Sequence, residues 1–284
     1  MTELPADSHV HSEWSWDTGG PRSQAAGTME ATCRRAVRIG LPALFFTEHL
    51  DLEDAWRADR EDLTPVQRHL VDDTGHVALP RFDVAGYLES VERCRAQFPE
   101  LRIHTGVEFG QPHLREREAR QLLDLDALDR VIGSLHTLPW GEDRAEPNTL
   151  YRFLAPEEVM TAYLEEVPRL VAGDAPFTVV THLDYAVRTW PVEDAGPFDP
   201  RRFEEPFRVA LRAIADSGRA LEMNTRRLWS WLPQWWAQEG GRAVTFGSDA
   251  HVPELLASHF PEAVALVEHF GFSRGSRPED PWTR

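Results

Sequence analysis

Residues 43–49 read Ala-Leu-Phe-Phe-Thr-Glu-His, four apolar residues followed by three polar ones. A short apolar run, rich in aromatic side chains, is the mark of a strand covered on both faces. Its polar end sets chemistry-bearing side chains at the strand's C-terminus. The same unit recurs at 8–11, 103–109, 130–136, 177–182, 220–224 and 243–249, so seven strands are predicted. Helical patterns fill the intervals near 28–39, 83–98, 113–126, 156–171, 201–217, 230–239 and 253–270. Thr28, Asp83 and Pro156-Glu-Glu supply helix starts. Alternation of strand and helix along the whole chain predicts an α/β fold with a parallel sheet, closed or open.

The remaining composition bounds the function. A chain of 284 residues, 42% hydrophobic and 27% charged, has the make-up of an ordinary globular protein. Its formal charge of −17 disfavours binding to nucleic acid or an anionic membrane. Cys33 and Cys94 are too few for a disulfide framework and read as reduced thiols. The N-terminal Met1-Thr-Glu-Leu-Pro-Ala-Asp7 lacks the basic and apolar regions of a signal peptide, and no window is apolar enough to span a bilayer. A cytoplasmic protein is expected. Two connections are long, 50–82 and 137–155, a length usually reserved for functional or mobile segments. Residues 1–272 are read as one barrel domain, and 273–284 as a loosely held tail.

Chemistry gathers at the strand ends. His9, His11, His49, His136, His182 and His251 fall at or just after the C-terminal end of an apolar run, as do Glu108 and Asp249. In a parallel α/β barrel these ends converge on one face. Residues i and i+2 of a strand share a side, so His9 and His11 can address one ion. Imidazole with carboxylate suits Zn, Mn or Fe better than Ca or Mg. Eight candidate ligands exceed the needs of one ion, so more than one metal is expected. Trp229-Ser-Trp-Leu-Pro-Gln-Trp-Trp236 reads either as barrel-to-helix packing or as an aromatic wall for a substrate. His69, His76, His104, His113, His259 and His269 read as structural.

In order, Asp7-Ser-His-Val-His-Ser12, Thr47-Glu-His49, Gly106-Val-Glu108, Gly133-Ser-Leu-His136, Thr181-His-Leu-Asp184 and Gly247-Ser-Asp-Ala-His251 resemble the motifs of the PHP (polymerase and histidinol phosphatase) family. The likeness runs from residue 7 to 251, and Glu222-Met-Asn-Thr225 points to the histidinol-phosphatase branch. It implies a distorted seven-stranded β/α barrel with a trinuclear centre of two to three divalent ions, Zn, Mn or Fe. By that resemblance the first ion takes His9, His11, Glu108 and Asp249. Glu108 bridges to a second, held by His136 and His182. The third takes His49, His251 and Asp17, where some relatives carry His. Glu108, Asp249 and His251 are the implied catalytic residues, and Asp7 and Asp184 read as partners behind the ligands or as turn caps.

Paired cations make a nucleophile of water at neutral pH and take up charge on phosphoryl oxygens. The resemblance implies metal-dependent phosphomonoester hydrolysis, with L-histidinol phosphate of histidine biosynthesis as the expected substrate of the histidinol-phosphatase branch. Another small phosphorylated metabolite or nucleotide is the alternative, and a nuclease is disfavoured by the acidic charge. Arg188 is placed like the family's phosphate-binding arginine, and Arg226 or Arg227 would supply a second. The expected partner is a small phosphorylated substrate, with no nucleic acid and no membrane.

Overall fold

In chain order the strands are β1 (Asp7–Val10), β2 (Ala43–Leu50), β3 (Trp56–Arg57), β4 (Arg102–Gly110), β5 (Arg130–Ser134), β6 (Leu138–Trp140) and β7 (Asp143–Ala145). They continue with β8 (Val179–Val180), β9 (Ala220–Asn224), β10 (Ala243–Gly247) and β11 (Trp282–Thr283). This computed structural model describes residues 4–21, 23 and 27–284, so Met1–Glu3 of the N-terminal stretch lie outside the described residues. The seven expected strands form one parallel run, β1-β2-β4-β5-β8-β9-β10.

The ring closes at its C-terminal end. Asp249 N–H donates to the His9 carbonyl (2.8 Å) and His11 N–H donates to the Ala250 carbonyl (2.9 Å), so the segment after β10 meets β1. The helices α1 (Met29–Ile39), α2 (Val84–Gln97), α3 (Pro112–Leu122), α4 (Pro147–Leu150), α5 (Pro156–Val171), α6 (Val192–Ala195), α7 (Glu204–Asp216), α8 (Trp231–Gln238) and α9 (Phe260–His269) complete the order. The anticipated caps form: Thr28 Oγ1 accepts from Ala31 N–H, Asp83 from Gly86 N–H, and Gly40 ends α1 in the left-handed region. A barrel-wide core of buried side chains runs from Val10 through Phe46 and Val107 to Phe246 and Phe260.

One expectation changes. The tail 273–284 is not loosely held: β11 pairs antiparallel with the start of β10, and Trp282 is buried edge-on against Phe246 at 5.1 Å. Ser273 and Thr283 exchange backbone hydrogen bonds, and Ala6 N–H donates to the Pro278 carbonyl. The tail therefore bonds to both β10 and the residue before β1, at the end of the barrel where those strands do not meet. Its Ser, Arg, Pro and Glu content read as disorder, while a single tryptophan supplies the anchor. The long connections are also structured. β3 from the first pairs with β7 and β6 from the second in a separate three-stranded sheet, over a small core of Trp56, Leu63, Val71 and Val77.

Among the described residues no helix is long and apolar enough to cross a membrane. The Trp229–Trp236 cluster packs rather than lining the cavity described below. Trp231 and Trp235 sit 4.5 Å apart, Trp231 lies 4.8 Å from Phe207, and Trp236 is buried. Because Trp282 is buried where β11 pairs with β10, Trp282→Ala should lower the free energy of unfolding by about 3–5 kcal/mol. Denaturant unfolding measures it, and a loss under about 1 kcal/mol would mean the tail is dispensable.

Candidate metal centre

Register brings the site together. β2 and β4 align His49 with Glu108 as Cα partners, so both side chains enter the barrel mouth side by side, with His49 Nδ1 3.1 Å from Glu108 Oε2. His9 and His11 follow the alternation of β1, and their Nε2 atoms lie 3.0 Å apart. His136 and His182 stand two residues beyond the ends of β5 and β8. Asp249 adopts a left-handed backbone (φ 54°) just after β10, which turns its carboxylate toward His9 and His11.

Glu108 is the hub. It is 1% exposed, and its carboxylate lies 3.3 Å from His9 Nε2, 3.3 Å from His11 Nε2, 3.1 Å from His136 Nε2 and 2.6 Å from His182 Nε2. Asp249 Oδ1 is 3.5 Å from His11 Nε2. Asp17, on a single helical turn at 16–18, faces His251 Nε2 at 2.7 Å and His49 Nε2 at 3.6 Å. All nine residues expected as ligands thus meet at one end of the barrel. Four overlapping groups of ligand atoms lie within 4.8 Å: His9, His11 and Asp249; His9, Glu108 and His182; His11, His49 and His251; and His49, Asp51 and His136.

The donor set fits divalent ions. Behind three histidines the Nδ1 proton is already committed: His9 to Glu222 (2.6 Å), His11 to the Ser15 hydroxyl (2.8 Å) and His136 to Asp51 (2.8 Å). Ser15 in turn donates to Glu48 (2.6 Å). Each Nε2 then faces Glu108, a contact that requires either a proton on the ring or a metal cation between the two groups. Asp17 Oδ1 is buried with no donor to it. Burial would raise Glu108, yet the His9, His136 and His49 rings hold it well below the usual carboxylate range. Burial likewise works against charge on His9, but Glu222, Glu108 and Asp249 push that ring well above its ordinary value. His136 is pushed up to about 10 by Asp51 and Glu108 against the same burial. The centre is one that demands positive charge.

Glu222 and Glu48 stand inside motifs quoted from the sequence without a role assigned to them, and Asp51 was not singled out. Each sits on or beside a strand whose other polar residues were singled out, and nothing in the chain marks which of them points inward. Room for them is made by glycine. A Cβ at Gly247 would fall 2.2 Å from Glu222 Oε1, and one at Gly110 would fall 1.9 Å from Asp51 Oδ1. Asp7 and Asp184 do stand behind the site. Asp7 accepts from Ser248 N–H, Ser248 Oγ and Ala257 N–H, which pins the Asp249 turn, and Asp184 accepts from Trp229 Nε1–H.

Above the ligands opens a cavity of about 520 Å³. Arg188, Arg226 and Arg227 line one part of it, and Trp16, Trp56, Leu63, Glu146 and Tyr185 line the rest. Arg188 Nη1 is 2.7 Å from Asp249 Oδ2, while its Nε and Nη2 are buried without a hydrogen-bond partner. Arg226 is half-exposed, 3.8 Å from the same oxygen, and Arg227 donates to the Val187 carbonyl.

The model of the PHP domain family matches residues 7–226. The chain belongs to the PHP family. Among curated PHP proteins it is 26% identical to a histidinol-phosphatase of Lactococcus lactis over 277 residues, 94% of this chain and 91% of that one. It is 25% identical to a probable histidinol-phosphatase of Clostridium acetobutylicum, over 93% of this chain and 92% of the other. These relatives place this PHP chain in the histidinol-phosphatase branch. The crystal structure of the Lactococcus lactis histidinol phosphate phosphatase, complexed with zinc, L-histidinol and phosphate, superposes with a TM-score of 0.76 at 22% identity. It covers 99% of this chain and 97% of that one. A putative histidinol phosphatase from Listeria monocytogenes superposes with a TM-score of 0.63 at 16% identity. The distorted PHP barrel expected from the motifs is therefore the fold observed.

Glu108→Gln keeps the shape of the hub and removes its charge. Elemental analysis of the purified variant should show most bound metal lost, whereas His269→Gln, exposed on α9, should retain it. Equal metal content in the two variants would overturn the ligand reading. Glu222→Gln, one step removed, should weaken metal affinity about 10- to 100-fold in a chelator competition.

Proposed function

We propose that this chain hydrolyses L-histidinol phosphate to L-histidinol and phosphate. At the coarser level it is a metal-dependent phosphomonoesterase of the PHP family. The observation that carries the proposal is Arg188, whose guanidinium is braced by Asp249 beside the ligand cluster and keeps two nitrogens unpaired at a cavity wall.

In this reading His9, His11, Glu108 and Asp249 hold one cation, Glu108, His136 and His182 a second, and His49, His251 and Asp17 a third. Zn, Mn or Fe in these places would supply Lewis-acid polarisation of the phosphoryl oxygens and activation of water. The chain's own residues do the rest. Arg188 binds a phosphoryl group through Nε and Nη2, a planar fork that matches two oxygens at once. Its position is not free to drift, because Asp249 fixes Nη1 and the Tyr185 ring lies 5.5 Å beneath the guanidinium. Arg226 and Arg227 add positive charge at the rim and draw the dianion in. Trp16, Trp56 and Leu63 cover the substrate on the side away from the arginines and exclude water from the reacting centre. Glu108, Asp249 and His251 would hold ions, which would supply Lewis-acid chemistry there, so their role in catalysis would be exerted through those ions.

Arg188→Ala should lower kcat/KM for L-histidinol phosphate by about 30- to several-thousand-fold, the equivalent of roughly 2–5 kcal/mol. Competitive inhibition by inorganic phosphate should weaken in parallel while metal content holds. Arg188→Lys should recover only part of the loss, because a point charge does not reproduce the fork. Unchanged kcat/KM and phosphate Ki would return Arg188 to a structural role. A panel of phosphomonoesters assayed with wild-type protein at one metal concentration tests the substrate. L-Histidinol phosphate should give the highest kcat/KM, and another metabolite exceeding it would replace it in the reading.

A further inference from the structure

The cavity above the ligands is electrically lopsided. Three arginines line the part nearest Asp249, and a carboxylate that balances none of them, Glu146, lines the part reached through Tyr185. Tyr185 offers its ring to Arg188 and its hydroxyl to Glu146, so one residue separates an anion-binding wall from an anionic one.

Glu146 is unusual among the carboxylates of this cavity. Asp17 is held by His251 at 2.7 Å, and Asp62 is held by Arg152 at 2.7 Å. Glu146 is held by the Tyr185 hydroxyl, and no ion pair among the described residues uses it. It occupies the position before α4. Here its side chain makes no cap, and the extended backbone (φ −68°, ψ 155°) leaves it on the cavity wall. The Thr149 N–H that a capping side chain would take is bound by Asn148 Oδ1 at 2.8 Å instead, so the Glu146 carboxylate is not drawn into the helix start. Burial pushes its carboxyl up to about 7, against the lowering effect of the His136 ring and the Tyr185 hydroxyl.

We propose that Glu146, oriented by Tyr185, is the specificity residue that receives a cationic nitrogen of the substrate, an ammonium or imidazolium, while the arginine wall and the metal ligands take its phosphate. The assignment rests on the phosphomonoesterase reading above and deepens it. Selection then follows from charge: a substrate must carry negative and positive groups on one small skeleton to satisfy both walls. A neutral organic group would leave Glu146 desolvated and unpaired, which costs binding without touching the chemistry at phosphorus. Trp16 and Trp56 tolerate any apolar skeleton between the two charges, so the walls at its ends do the discriminating.

The test compares wild-type protein with Glu146→Gln on matched substrates, with metal content measured on each batch. 2-Aminoethyl phosphate and propyl phosphate share a skeleton and differ in the ammonium, and L-histidinol phosphate is run beside them. In the variant, kcat/KM for the two cationic substrates should fall about 10- to 100-fold, as loss of a charge-assisted contact in a partly desolvated site predicts. Propyl phosphate should change less than about 3-fold, and the Ki of inorganic phosphate should stay put. The Ki of L-histidinol as product inhibitor should rise in step with the loss. Equal effects on the cationic and neutral esters, or none on either, would overturn the assignment. If wild-type protein prefers 2-aminoethyl phosphate to L-histidinol phosphate, the substrate reading falls, and the ratio between the matched pair still decides Glu146. Tyr185→Phe should lower the same ratio by a smaller factor and leave phosphate Ki unchanged.

Discussion

Glu108 places a carboxylate where five imidazole rings meet, in a site nearly closed to water. Such a crowd is unstable by itself and needs protons or cations at its centre and fixed donors around its rim. The rim is visible in the chain's own groups. Glu222, Ser15 with Glu48, and Asp51 hold the outward nitrogens of His9, His11 and His136, so the inward nitrogens are aimed before any ion arrives. Preorganisation of this kind lets a metal site keep its geometry without spending binding energy on ordering its ligands.

The barrel serves that demand asymmetrically. At the C-terminal end it closes through hydrogen bonds that involve the backbones of His9, His11 and Asp249, so closure and ligand placement are one event. At the other end β10 is completed by β11 and Trp282 instead. Chemistry therefore sits at one mouth and purely structural pairing at the other, a division common to barrels whose catalytic groups ride on strand ends. The left-handed backbone at Asp249 is strain tolerated at the working end, pinned by three hydrogen bonds to Asp7.

The two long connections complete the cavity. They share a small sheet and a core of their own around Trp56 and Val77, which holds the wall opposite the arginines in place. Glu146 lies just after a strand of that sheet, and Arg188 lies beyond β8 of the barrel, so the charge asymmetry of the cavity arises where two separately built layers meet.

Much of this was legible in the chain. Apolar runs ending in His, Glu or Asp determined the order of seven strands, the face on which their ends meet, and eight of the nine ligand candidates, while Asp17 came only from the resemblance to the PHP motifs. The stretch 273–284 was misread because its composition is that of a loose tail, and one buried tryptophan outweighs composition only when its cavity exists. The uses of Glu222, Glu48, Asp51 and Glu146 were invisible for a different reason. A carboxylate's use depends on what it faces, and their partners lie between 33 and 213 residues away for the three that are hydrogen-bonded behind the ligands. Local sequence determined which residues could bind metal or phosphate. Only the tertiary structure decided which acids stand behind the histidines and which one looks into the cavity, because both follow from register and closure rather than from neighbours along the chain.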